Sequence, residues 1–328
     1  MNKKNIAVVY GGYSSEEVVS QRSAKGILSF IDTDTYNLFP LLLNSEKWVV
    51  VHNNQEYPVN RADFTVSIDG EIIHFDCAYI TIHGTPGENG LLQGYLKMLN
   101  IPHSTCDVLP AALTFNKYTC NNYLKGFGIT IAMAALVRQG ITYSIEDIAH
   151  KTGFPCFVKP NAGGSSFGVT KVKAIEDLDG AIQKAFLECN EVVIEQFIEG
   201  TEVTCGLYKT ADKTEVLPIT EVISKNEFFD FEAKYTPEKV TEITPARISP
   251  ELTTEIQNTS SLIYDLLNCN GIVRVDFIIS DNRPFLLEVN TTPGMTPTSF
   301  IPQQIEAKGL DIKTVFGEVI EDAIARRS

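Results

Sequence analysis

The sequence predicts an α/β protein of two or three domains, beginning with an open parallel α/β domain and continuing in units that mix strands and helices. Three observations carry this. The 328 residues are too many for one ordinary core. Up to about residue 105, short apolar runs alternate with helical patterns, as a βα alternation requires. Later, the stretches Gly271 to Ser280 and Pro284 to Asn290 read as a hairpin with chemistry-bearing residues at two-residue spacing.

Asn5 to Tyr10 is an apolar run ended by Gly11-Gly12, the pattern of a buried parallel strand. Ser14 and Glu17 have capping-box spacing and predict a helix running to about Phe30. Strands are expected at Leu38 to Leu43, Lys47 to Val51 and Ala78 to Ile82, then a helix from about Gly90 to Leu99. Asn116 to Gly126 reads as helix, Ile129 to Val137 as strand, and Ser144 to Asp147 caps a helix reaching His150. The strand Phe154 to Pro160, a glycine-serine turn and a return strand Gly168 to Val172 follow. A helix near Leu178 to Leu187 and the strand Val192 to Ile198 close that unit. Strands at 202–208 and 215–223, a helix near 250–268, the late hairpin and a helix at about 311–325 complete the chain. Residues 225–238, with three Phe among charged groups, read as a loop able to close over something.

The formal charge of -14 argues against nucleic acid or an anionic membrane as the main partner. No apolar run approaches the roughly 18 to 20 residues of a membrane span, and the N-terminus lacks the pattern of a secretory signal. Seven scattered cysteines without Cys-x-x-Cys suit reduced thiols in a cytoplasm. The histidines show no metal-ligand spacing.

In the hairpin, Arg274 and Asp276 share one face of their strand, as do Glu288 and Asn290 of theirs. If Ser280 pairs with Pro284 across a three-residue connection, Asp276 falls opposite Glu288 and Arg274 opposite Asn290. Two carboxylates and an amide oxygen suit magnesium beside phosphate, and arginine supplies a planar fork for phosphate. The alternative is a solvated polar face. Gly163-Gly164-Ser165-Ser166 can aim N–H groups and hydroxyls at phosphate oxygens, or be only a turn. Lys159, on the apolar strand before it, must snorkel to solvent or meet an anion. Glu195-Gln196-Phe197-Ile198, leaving a strand toward Glu202, can hold a purine by backbone groups and a ribose by a carboxylate, or form an acidic surface turn. Glu16 in the first helical turn can hold an ammonium group or merely complement the helix dipole. In Asn290-Thr-Thr-Pro-Gly294, glycine permits close backbone approach, so its N–H can face an oxyanion; Ser299 near a helix start can hold a carboxylate. An ordinary Pro-Gly turn is the alternative there.

Together, Lys159, the Gly-Gly-Ser-Ser turn, Glu195 to Glu202, Glu-Ala-Lys234-Tyr235, Arg274-Val-Asp276 and Glu288-Val-Asn290-Thr-Thr-Pro-Gly resemble the ATP-grasp ligases. Gly11-Gly12, His83-Gly with Gly87-Glu88-Asn-Gly, and Lys234-Tyr235 narrow the resemblance to the D-alanine–D-alanine ligase family, over nearly the whole chain. One departure is visible: where the family continues its first glutamate with Arg-Glu-Val-Ser, this chain has Glu16-Glu17-Val18-Val19-Ser20.

The resemblance implies an N-terminal domain at 1–105 that binds the first amino acid. An ATP-grasp fold of two α+β subdomains follows, at 106–198 and 199–328. It implies ATP and two Mg2+ (or Mn2+), two D-alanine molecules, a cytoplasmic location and a homodimer. Asp276, Glu288 and Asn290 would hold the metal ions. Lys117 and Lys159 would meet the α- and β-phosphates, with Ser165 and Ser166 in the phosphate turn and Lys234 at the γ-phosphate. The 196–198 backbone (Gln196, Phe197, Ile198) would read adenine, with Glu195 also in the nucleotide site, and Glu202 would take the ribose. Glu16 would anchor the first ammonium, with His83 near that amino acid, and Ser299 the second carboxylate. Arg274 would reach the transferred phosphoryl group and then, with the Gly294 N–H, stabilise the tetrahedral intermediate, and Ser165 and Tyr235 would link Glu16 to the closed loop 225–236. A Tyr at 235 goes with an amine nucleophile in this family, so a dipeptide rather than an ester is expected. The competing readings are an ATP-grasp ligase for another acid and amine, or a non-catalytic nucleotide-binding regulator. A nicotinamide oxidoreductase fails on the incomplete glycine pattern.

Overall fold

The computed structural model describes residues 3–14, 16–164, 168–224 and 240–326. At the N-terminus, β1 (Lys4–Gly11) is an interior strand and fully apolar from Ile6 to Val9, as a strand covered on both faces must be. Helix α1 (Glu17–Phe30) is the crossover that returns the chain to β2 (Tyr36–Leu43), parallel to β1. From there the links shorten and only hairpins are possible. The meander β3 (Trp48–His52), β4 (Gln55–Asn60), β5 (Thr65–Ile68) and β6 (Glu71–Ile73) is antiparallel throughout. Asn53-Asn54 and Asp69-Gly70, all at positive φ, make its two-residue turns. The last strand, β7 (Cys77–Ile80), returns parallel to β1, giving the order β6-β5-β4-β3-β2-β1-β7. The expected open parallel domain is thus the part β2-β1-β7, and the sequence pattern did not announce β4 to β6, of which β4 and β6 are mostly exposed while β5 buries Thr65, Val66 and Ile68.

The predicted capping box does not form. Glu16 is the N-cap of α1 and makes no side-chain cap bond, while Ser14 Oγ donates to His83 O at 3.3 Å and accepts from the Glu16 N–H at 3.3 Å. Ser14 stands two residues before the N-cap, so its hydroxyl serves the approach to the helix and not its first turn.

Helix α2 (Leu91–Met98), α3 (Val108–Phe115) and α4 (Lys117–Lys125) lead to a second sheet. It comprises β8 (Ala134–Arg138), β9 (Cys156–Pro160), β10 (Thr170–Val172) and β11 (Glu191–Gln196) in the antiparallel order β10-β9-β11-β8. Helices α5 (Ile145–Thr152) and α6 (Leu178–Ala185) cover it, burying Ile148, Leu178 and Ile182 against Val158, Val192 and Ile194. Ser144 caps α5 as predicted, accepting from Asp147 N at 3.0 Å.

The third sheet has β12 (Thr201–Lys209) at its centre, with β13 (Thr214–Val216), β14 (Thr220–Ser224), β15 (Val240–Ile243), then helix α7 (Pro250–Leu266), and β16 (Val273–Ser280) with β17 (Arg283–Asn290). The main path runs β15-β14-β12-β16-β17. Helices α8 (Phe300–Ala307) and α9 (Ile312–Ala325) follow. The C-terminal helix returns to the first domain: Phe316 stacks on Tyr79 at 5.4 Å, in a core shared by β1, α1 and β7.

The hairpin turn differs from expectation, but the facing pairs do not. Ser280 pairs with Arg283 across a two-residue turn, Asp281-Asn282, both at positive φ. That register alone would set Leu287 opposite Asp276 and flip every side chain of β17. A bulge corrects it: Phe277 pairs with Leu286 and Asp276 with Glu288, so Leu287 is the extra residue. Arg274 then faces Asn290.

Candidate active site

Two contiguous cavities, each of about 810 Å3, meet along this hairpin. They share Glu16, Phe115, Lys117, Gly163, Gly164, Arg274, Glu288 and Phe300. One runs between the second and third sheets past Lys159, Glu195 to Ile198 and Glu202. The other lies under α1 and α8, past His83, Glu88, Gly294 and Ser299.

At the junction Asp276 is buried and surrounded by donors. Arg274 Nε reaches Oδ1 at 2.9 Å and a terminal guanidinium nitrogen reaches Oδ2 at 2.7 Å. Thr204 Oγ1 donates at 2.5 Å, and the Asn290 amide at 3.0 Å. Thr204 is across from Asp276 on β12, so strand register delivers it. Burial acts against the Arg274 charge, yet Asp276, Glu288 and Glu202 outweigh it and hold the guanidinium above its ordinary value. The ring of Phe300 lies 5.4 Å from the guanidinium carbon.

The acidic side of the junction is balanced by Lys117, 3.3 Å from Glu288 and donating to Gly163 O at 2.6 Å. Its N-cap Asn116 accepts from Thr119 N at 3.0 Å, fixing the helix start that presents the lysine. Burial opposes the ammonium, but Glu288, Glu88 and Glu16 raise it above the usual lysine value. Lys159 does not snorkel: it pairs with Glu195 at 2.7 Å, both nearly enclosed. Of the purine-edge amides, Gln196 N is committed to Met133 O at 2.8 Å and Phe197 N to Pro155 O at 3.2 Å. Glu221 and Arg247, a bidentate pair at 2.8 and 2.9 Å, add a wall to this cavity that no sequence signal announced.

In the other cavity, the Glu16 carboxylate lies between two glycines. A Cβ on Gly164 would come within 2.7 Å of Oε1, and one on Gly84 within 3.1 Å of Oε2, so glycine at both places lets backbone approach the acid. Glu88 accepts from Gly84 N at 2.6 Å; burial, then the charge of Glu16, push its carboxyl up to about 8. His83 Nε2 is 3.0 Å from Ser23 Oγ, which also accepts from Met295 N at 3.3 Å. Burial, then Arg274, lower the imidazole to about 4, so it is neutral at pH 7. Ser299 is the N-cap residue of α8 but makes no cap bond; its Oγ accepts from Thr296 N at 3.0 Å and faces Gly294, whose Cβ would lie 3.2 Å away.

The structure thus brings Glu16, Lys117, Arg274, Asp276, Glu288, Asn290, Gly294 and Ser299 around one cavity system, with Lys159, Glu195 to Ile198 and Glu202 around its other half. Ser165, Ser166, Lys234, Tyr235 and the whole 225–236 stretch lie outside the described residues. Sequence reasoning assigned no role to Glu88, Thr204 or Ser23. Glu88 sits in a glycine-rich motif that drew attention; Thr204 and Ser23 carry no local signal.

Two small antiparallel sheets flanking a nucleotide-sized cleft, with a basic and acidic cluster at its inner end, define a protein of the ATP-grasp class. Models of two family regions match the chain: D-ala D-ala ligase N-terminus at residues 5–106 and D-ala D-ala ligase C-terminus at 124–321. A D-alanine–D-alanine ligase from Phocaeicola vulgatus is 56% identical over 322 residues, 98% of this chain and 99% of that protein. The D-Ala:D-Ser ligase VanG from Enterococcus faecalis superposes with a TM-score of 0.85 at 30% identity, covering 100% of both chains. A D-alanine–D-alanine ligase from Bacillus anthracis complexed with ATP gives 0.80 at 28% identity, covering 100% of this chain and 99% of that one. The chain belongs to the D-alanine–D-alanine ligase family.

Proposed function

We propose that this protein joins two D-alanine molecules into D-alanyl-D-alanine, with ATP converted to ADP and phosphate, in the synthesis of bacterial peptidoglycan precursors. The observation that carries the reading is the junction: a nucleotide-sized cavity and an amino-acid cavity open onto the same Arg274, Lys117 and Glu288.

A carboxylate oxygen of the first D-alanine attacks the γ-phosphorus and ADP leaves, forming an acyl phosphate. The amine nitrogen of the second then attacks the acyl carbon, the carbon–oxygen bond to phosphate breaks, and the amine gives up a proton as phosphate departs. The protein's part is positioning and charge stabilisation. Glu16 anchors the first ammonium, and neutral His83 lies beside that amino acid. Lys117 and Lys159 hold the α- and β-phosphates, exchanging part of their pairing with Glu288 and Glu195 for phosphate oxygen. Arg274 meets the transferred phosphoryl group, and with the Gly294 N–H it receives charge developing on the carbonyl oxygen. Ser299 takes the second carboxylate. Ser165, Ser166, Lys234 and Tyr235 are proposed as the phosphate turn and the closing loop. The ranges 1–105, 106–198 and 199–328 are the corresponding functional divisions.

The donor set at the junction, two carboxylates and an amide within hydrogen-bond reach, suits Mg2+ or Mn2+ beside phosphate. Asp276, Glu288 and Asn290 would hold two such ions, whose chemistry is to neutralise charge on the phosphate oxygens. Among the described residues no cluster of three or more His, Cys, Asp or Glu offers another seat. No helix among the described residues is long and apolar enough to cross a membrane; a cytoplasmic homodimer is proposed.

The test is ADP release from ATP and Mg2+ that depends on D-alanine and is absent with L-alanine. Adding D-serine or D-lactate at equal concentration should leave D-alanyl-D-alanine as the main product. A predominance of the mixed dipeptide or the ester would overturn the acceptor assignment.

A further inference from the structure

Two carboxylates of the amino-acid cavity, Glu88 and Glu242, have no part in the chemistry above, and Glu242 is the one beside Ser299. Glu242 lies on the edge strand β15 and lines the cavity with Arg274, Ser299 and Gln303. Its Oε2 accepts from Gln303 Nε2 at 2.7 Å, and the same nitrogen donates to Thr298 O at 2.7 Å. Both protons of that amide are therefore used. Gln303 stands in the first turn of α8, and Thr298 and Ser299 are the residues that lead into it.

The chain Glu242–Gln303–Thr298 thus ties the sheet edge to the segment carrying Ser299. Ser299 makes no cap bond; Thr296 holds its hydroxyl instead, through its N–H at 3.0 Å and its Oγ1 at 2.8 Å, so the entry to α8 is one small hydrogen-bonded unit that the Gln303 amide joins to the sheet. The body of α8 is anchored separately, by Ile301 and Ile305 buried in the shared core. Loss of the tie would therefore displace the entry to the helix rather than unseat the helix. Burial pushes the Glu242 carboxyl up, while the Gln303 hydrogen bond and the Arg274 charge act the other way.

We infer that Glu242 is a positioning residue for the second amino acid: through Gln303 and Thr298 it sets the seat that Ser299 offers to the acceptor's carboxylate. This rests on the reading of Ser299 proposed above. The acceptor is a small molecule held by few contacts, so a shift of the seat acts on acceptor binding and leaves the nucleotide half untouched.

The experiment is steady-state kinetics of the full chain, resolving the KM of each D-alanine and of ATP, with melting temperatures alongside. Glu242→Ala and Gln303→Leu should each raise the acceptor KM about tenfold, the loss of one charge-assisted hydrogen bond. The donor KM and ATP KM should stay near wild type. The double variant should be no worse than the poorer single, because both cut one chain of contacts. Glu242→Gln, whose amide oxygen still accepts, should remain close to wild type. Parallel rises in all three KM values, or an unchanged acceptor KM in Glu242→Ala and Gln303→Leu while Ser299→Ala raises it, would overturn the inference. An unchanged acceptor KM in Ser299→Ala would instead overturn the placement of the acceptor, and the inference with it.

Discussion

Arg274 and Asp276, two residues apart on β16, close a buried bidentate pair at 2.9 and 2.7 Å where the two cavities meet. Neighbours at that spacing share a strand face, so the pair is local in sequence. Both are also within reach of Glu288 or Asn290 on the facing strand. One residue assigned to the phosphoryl group and one assigned to the metal are thereby held in a single arrangement.

Arg274→Ala should lower kcat by about 10²- to 10³-fold while changing ATP affinity by no more than about threefold. Its target charge develops mainly in the transition state. Turnover compared with equilibrium binding of a non-hydrolysed ATP analogue checks this. Equal losses in both would remove Arg274 from the reacting centre.

Asp276→Asn strips the counter-charge from a buried guanidinium. Without ligands the variant should be less stable by on the order of 2 kcal/mol, measured by urea unfolding. Mn2+ binding in the presence of ADP, followed by electron paramagnetic resonance, should weaken as well. Unchanged Mn2+ binding would deny Asp276 its place among the metal ligands.

Glu88 and His83 leave opposite marks on stability against pH. The Glu88 carboxyl is raised to about 8, so its contribution is complete below the ordinary glutamate value and is lost as pH rises through 8. The His83 imidazole is lowered to about 4, so its contribution is complete above the ordinary histidine value and is lost as pH falls through 4. Between about pH 6.5 and 8 only Glu88 acts. Wild type should lose stability across that window, and Glu88→Gln, which cannot ionise, should not. Urea midpoints at both ends of the window decide it.

Lys159→Met leaves Glu195 enclosed without its 2.7 Å partner. We expect destabilisation of about 2 kcal/mol and a rise in ATP KM of about tenfold or more, since a phosphate contact is lost too. Lys159→Arg should restore stability better than it restores KM, because a planar fork does not copy a point charge. Full recovery of both by arginine would mean the residue serves only its ion pair.

Much of the site was legible because strand periodicity is strict. Arg274, Asp276, Glu288 and Asn290 could be placed on one face from their spacing alone, and they are. The turn was misjudged: Asp281-Asn282 makes a two-residue connection, and the bulge at Leu287 restores the facing pairs. A bulge has no reliable local signature, so the correct pairing was reached through two compensating departures. In the meander β4 to β6, β4 and β6 are mostly exposed and carry little apolar pattern, whereas β5 buries Val66 and Ile68 with alternating spacing over only four residues, too short a run to stand out.

What the sequence by itself determined is local: where strands run, which side chains share a face, and where glycine lets backbone come close. These follow from bond geometry and a repeat of two or 3.6 residues, and they hold wherever the segment lands. Only the tertiary structure decided that Ser23 would join His83 to Met295, that Lys159 would pair with Glu195 rather than reach water, and that Glu88 would share a buried pocket with Glu16. Those contacts join segments as much as 272 residues apart. They depend on how three sheets pack, and packing also sets the desolvation that decides which of these groups carry charge.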